Sequence, residues 1–166
     1  MDFLAKRARE RHDSFLDSLK KDQVDHLQFD DLITTEHTKL KPLSISIAVD
    51  AKRRFILGAK VSVIPAFGLL AKLSRQKYGR RSNGHKKGLS RLFHRLDGVV
   101  KKNATIKSDE HKNYPEFVHK YFPNGHYQRF KGVKEAVVGQ GELKKLKLDP
   151  LFMINHTCAM LRANIN

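Results

Sequence analysis

The chain has 166 residues, of which 40% are hydrophobic, enough for one domain with its own core and too many for a disordered polymer. A single cysteine, Cys158, excludes an intramolecular disulfide, and no Cys/His spacing reads as a zinc ribbon. A formal charge of +16, from 33 Lys and Arg against 17 Asp and Glu, favours a polyanionic partner, with nucleic acid first, over a merely solvated basic surface. No apolar run reaches the roughly 20 residues of a membrane helix, and charged residues fill the N-terminus where a signal peptide has its apolar region. The reading is therefore a protein of a reducing cytoplasm with no membrane partner.

In chain order, residues 1–22 predict a leading helix, with Phe3, Leu4, Phe15, Leu16 and Leu19 as its apolar stripe. Val24–Ile33 predicts a strand with Leu27, Phe29 and Asp31 on one side and Gln28 and Asp30 on the other. An aspartate inside a strand needs a partner or a metal, because strands are depleted in Asp and a buried carboxylate is costly alone. Leu43–Val49 and Phe55–Ile64 predict a hairpin, so the first three strands form an antiparallel meander.

The charge then concentrates: Ala71–Lys102 holds eleven basic residues against one acid, Asp97. Within it, Lys77–Lys87 reads as a glycine-containing cationic loop, and Gly88–Lys101 as a helix with Leu89, Leu92, Phe93, Leu96, Val99 and Val100 inward and Arg91, Arg95 and Lys101 outward. Ala104–Ser108 predicts a fourth strand ending at Asp109. A helix over Tyr114–Phe122, a strand over His126–Phe130 and a last helix over Leu151–Asn164 follow. Three strands, then alternating helices and strands, predict an α/β fold with a mixed sheet flanked by helices.

Two acids at strand ends, Asp30 and Asp109, fit the chemistry of phosphodiester cleavage, in which hard divalent cations on oxygen ligands activate the nucleophile and stabilise the leaving oxygen. Pattern alone leaves bland readings open: Asp109-Glu110 as a helix cap and Asp30-Asp31 as a charge pair on an edge strand. Three blocks add to it: Gln28-Phe-Asp-Asp-Leu-Ile-Thr-Thr-Glu-His-Thr-Lys-Leu-Lys-Pro-Leu-Ser44, Ile106-Lys-Ser-Asp-Glu-His-Lys-Asn-Tyr114 and Asp149-Pro-Leu-Phe-Met-Ile-Asn-His-Thr-Cys-Ala-Met-Leu-Arg-Ala-Asn164. In this order they resemble bacterial insertion-sequence transposases of the DDE type, ISXO2-like.

The resemblance implies a ribonuclease-H-like core over residues 23–166. It implies Asp30 and Asp109 as ligands of two Mg2+ or Mn2+ ions, ahead of their neighbours Asp31 and Glu110. It also implies double-stranded DNA as partner, with a homodimer on paired DNA ends. The third carboxylate of the family falls on Asn155, an amide that can coordinate but carries no charge and cannot act as a base. His156, Glu135 and Glu142 are the other candidates for that role. Lys77, Arg80, Arg81, Lys86, Lys87, Arg91, Arg95 and Arg162 are expected to hold DNA phosphates without reading sequence. In the family the last helix normally continues with more basic residues, so the resemblance implies a core truncated at its C-terminus, and one without the zinc-ribbon or helix-turn-helix reader that many transposases carry ahead of it. Three functions follow as expectations: a transposase that cleaves and joins DNA, a DNA-binding remnant without activity, and a nuclease that cuts without joining.

Overall fold

The structure is a computed structural model that describes residues 2–20, 23–131 and 149–164. Its elements run α1 (Asp2–Leu19), β1 (Val24–Thr35), β2 (Pro42–Asp50), β3 (Ile56–Val63), α2 (Leu70–Tyr78), α3 (His85–Leu96), β4 (Val100–Asp109), α4 (Tyr114–Tyr121), β5 (His126–Phe130) and α5 (Phe152–Asn164). The fold is α/β: one five-stranded mixed sheet in the order β3-β2-β1-β4-β5, flanked by helices. β1, β2 and β3 form the expected antiparallel meander, while β4 runs parallel to β1 and β5 parallel to β4. No helix among the described residues is long and apolar enough to cross a membrane.

Two apolar clusters sandwich the sheet, and strand alternation decides which residue enters which. One face packs Leu27 and Phe29 of β1 and Ile106 of β4 against Leu16 and Leu19 of α1, Leu89, Leu92, Phe93 and Leu96 of α3, and Phe117 and Val118 of α4. The other face packs Leu32 of β1 and Ile47 and Val49 of β2 against Leu151, Ile154 and Cys158 at α5. β2 therefore buries both faces: its isoleucines meet α5, and Ser44 and Ser46 turn towards the opposite side, where they bond Asp31.

Four expectations change. The leading helix buries only its C-terminal half, and Phe3 and Leu4 stay exposed. A helix not expected from the sequence, α2, occupies Leu70–Tyr78, so the cationic loop shortens to residues 79–84. α3 starts three residues early, at His85, and stops at Leu96, where Gly98 at φ 81° turns the chain. Val100 then opens β4, which is longer than expected, and Asp109 is its last residue. Glycine also has a packing role at Gly88, because a Cβ there would lie 1.9 Å from Ser62 Oγ and 3.3 Å from Ser62 Cβ, so the Ser62 hydroxyl would have to move.

Candidate metal and nucleic-acid site

β1 is the central strand, so Asp30 and Asp31 are not an edge pair. The parallel register pairs Leu27 with Ile106 and Gln28 with Lys107, and two residues further along each strand stand Asp30 and Asp109. Alternation puts both on the α5 side of the sheet. Burial, joined by the charge of Asp109, pushes the Asp30 carboxyl from its ordinary 3.8 up to about 7. Its Oδ1 accepts the backbone N–H of Asp31 at 2.7 Å. Asp109 is not a helix cap: its Oδ1 accepts the N–H of His111 at 2.9 Å and shapes the β4–α4 turn, whereas α4 opens at Asn113.

The helix α5 is fixed on this face of the sheet by β1 itself. Gln28, buried two residues before Asp30, donates to Pro150 O at 3.0 Å and accepts from Ile154 N at 3.1 Å. Cys158 follows Ile154 by one turn, and burial together with the charge of Asp30 pushes its thiol up to about 11. Asn155 is exposed, and its amide donates to Asp149 Oδ2 at 2.7 Å. Among the described residues no hydrogen bond joins it to Asp30 or Asp109. His156 is exposed beside Phe152, and Glu135 and Glu142 lie outside the described residues.

Asp31, one residue on, faces the opposite side, although the Tyr114 hydroxyl reaches both acids and lies 3.4 Å from Asp30 Oδ1. Asp31 Oδ1 accepts Ser44 Oγ at 2.9 Å and Ser46 Oγ at 2.5 Å, and its Oδ2 accepts Tyr114 Oη at 2.8 Å. His85 Nε2 lies 2.5 Å from that same Oδ2, and Asn113 Nδ2 lies 3.2 Å from His85 Nδ1. Burial pushes the Asp31 carboxyl up, but the bonds from His85, Ser46 and Tyr114 outweigh it and hold it below its usual range. The His111 ring stands edge-on to His85 at 4.8 Å, and burial followed by the charge of His85 keeps its imidazole below the usual value. Asp31, His85 and His111 each offer a ligand atom within 4.8 Å of the others, so this cluster can hold a metal ion. The resemblance gave Asp31 second place as a ligand. Nothing in the sequence ties it to two histidines 54 and 80 residues away, although the Ser-Ile-Ser alternation of β2 marks hydroxyl donors beside it.

The cationic residues divide in two. Arg81 donates to Glu36 Oε1 at 2.7 Å and is only 12% exposed, while Arg95 bonds His12 and Asp13 on α1. Both tie elements together, and Lys86 is paired with Glu116 at 2.6 Å on the surface. Lys77 lies beside the Tyr78 ring, and Arg80, Lys87, Arg91 and Arg162 are exposed. Arg75 and Arg80 line a polar cavity of about 330 Å³ between α2 and the 79–84 loop. Comparison with protein-family models, curated proteins and solved structures finds no match to this chain.

Proposed function

We propose that the chain is the catalytic core of a DDE-type DNA transposase with a ribonuclease-H-like sheet, which cleaves and joins DNA through Mg2+ or Mn2+ held by Asp30 and Asp109. The observation that carries this reading is the parallel register of β1 and β4, which with strand alternation sets two carboxylates on one face of the sheet, the face on which α5 packs. Burial first, and then the charge of Asp109, raise the Asp30 carboxyl, and a shared divalent cation would offset both. Hard oxygen donors on a rigid strand pair fit such a cation. When bound, it polarises the phosphoryl oxygen and makes water or a 3′ hydroxyl a stronger nucleophile. Asp30 and Asp109 would hold it, Gln28 would keep α5 seated beside it, and Arg162 of α5 would hold the DNA backbone on the same face, while Arg80 before α3 and Lys87 and Arg91 on it, across the sheet, would meet a more distant stretch of the duplex. The pair suffices for one shared ion, and a second needs a further ligand, for which Asn155 would have to leave Asp149.

The direct experiment incubates the protein with plasmid DNA carrying the terminal repeats of the mobile element, with Mg2+ or Mn2+. Nicked and joined products that disappear in Asp30→Ala and Asp109→Ala are expected. Undiminished products in either variant would remove the pair from the mechanism, and nicking without joining would leave a nuclease. The bonding of Asn155 to Asp149 favours a second reading, a DNA-binding remnant without activity. An inert wild-type protein that gains cleavage in Asn155→Glu would select it.

A further inference from the structure

We propose that Asp31, His85 and His111 form a second metal site, for a borderline transition-metal cation of the zinc class. It shares no ligand with the Asp30–Asp109 pair and does not rest on the function proposed above, although the Tyr114 hydroxyl bonds both Asp30 and Asp31, and Asp109 Oδ1 accepts the His111 N–H. The three residues come from β1, the first turn of α3 and the β4–α4 turn, and their ligand atoms converge within 4.8 Å. Two imidazoles and one carboxylate are the donors that Zn2+ accepts with three protein ligands and an open fourth position, whereas Mg2+ prefers oxygen alone.

The surrounding shell is built for it. Ser44 and Ser46 occupy Asp31 Oδ1, while Oδ2 faces His85 and also accepts the Tyr114 hydroxyl at 2.8 Å, a bond that a metal on Oδ2 would have to share or displace. His85 is itself buried, at 6% exposure, so its orientation is fixed by packing. A metal on Nε2 requires an acceptor at Nδ1, and the carboxamide of Asn113 stands at that position, 3.2 Å away, with its oxygen available by rotation. Bonds of about 2.0–2.1 Å put tetrahedral ligand atoms roughly 3.3 Å apart. Asp31 and His85 would therefore open from 2.5 Å by under ~1 Å, and His111, half-buried on a turn, would close on them. The ion would add a coordination link among β1, α3 and the β4–α4 turn to their strand pairing and shared apolar core.

The test titrates Zn2+ into chelator-treated full-length protein, with Co2+ absorption as a spectroscopic reporter and thermal unfolding as a second readout. Wild type is expected to bind one tight equivalent, to show the visible bands of low-coordinate Co2+ and to unfold at higher temperature when loaded. His111→Ala and the bulkier His111→Gln, both checked for native circular dichroism, lose all three signals. Asn113→Ala weakens binding by about 10–100-fold, as loss of an outer-shell partner does. Asp30→Asn and Asp109→Asn keep it. The proposal is overturned if wild type takes up no more Zn2+ than His111→Ala and His111→Gln, or if the tight equivalent disappears in Asp30→Asn or Asp109→Asn and survives in both His111 variants. No DNA enters these measurements, so either outcome leaves the transposase reading untouched.

Discussion

Asp30 and Asp31 are neighbours in sequence with opposite proton affinities, because one strand residue separates two faces of the sheet. The folded chain holds a proton on Asp30 up to about pH 7, while the unfolded chain releases it near its ordinary 3.8. Between those values the folded state binds more protons, so metal-free stability falls as pH rises from about 4 to about 7 and is level above. Asp30→Asn removes this penalty and is expected to stabilise the chelator-treated protein by roughly 2 kcal/mol at pH 8, with little effect at pH 4. Urea unfolding at the two pH values checks it, and an Asp30→Asn protein no more stable than wild type at pH 8 contradicts it. The strand alternation that separates these acids is legible in the sequence. The roles of His85 and His111 are not, because only the tertiary fold carries them to Asp31.

Among the elements, those with a periodic apolar face are readable in advance: β1, β2, β3 and the core of α3 stand where their patterns put them. α2 is different. Its buried residue is Ser74, whose hydroxyl donates to Leu40 O at 2.7 Å, while Leu70 and Leu73 remain exposed. A helix held by a polar anchor leaves no apolar stripe to detect. α3 begins before Gly88 because the N-terminal turn is set by Asn83, whose side chain accepts His85 N at 3.1 Å, and Gly88 is a contact residue and not a boundary. Gly88→Ala should therefore destabilise the protein by about 1–3 kcal/mol, although alanine is the better helix former. Ser62→Ala in the same chain should recover part of that loss by removing the nearest obstructing atom, measured as a double-mutant cycle in urea. A Gly88→Ala protein as stable as wild type would mean that the Ser62 hydroxyl turns aside at no cost or that α3 does not sit this close to β3.

At the scale of the molecule, the +16 charge is not uniformly available to a ligand, since Arg81 and Arg95 are committed to Glu36 and Asp13. Lys87 and Arg91, one turn apart on the exposed side of α3, are free of such ion pairs among the described residues. Replacing both with Glu should weaken binding to duplex DNA and lower the slope of log affinity against log salt by about 2, near 0.9 for each phosphate that is no longer neutralised. Fluorescence anisotropy across a salt series measures this, and an unchanged slope would move the DNA to another face. Composition made the basic surplus readable, whereas the division between paired and unpaired cations depended on which acids the fold brings near them.

The central claim is that Asp30 and Asp109 form one cation site through the parallel pairing of β1 and β4. Calorimetric titration of Mg2+ into wild type, Asp30→Asn, Asp109→Asn and His111→Ala tests it most directly. Mg2+ binding should be lost in each Asp variant and retained in His111→Ala. Wild-type Mg2+ affinity in either Asp variant would contradict the shared site.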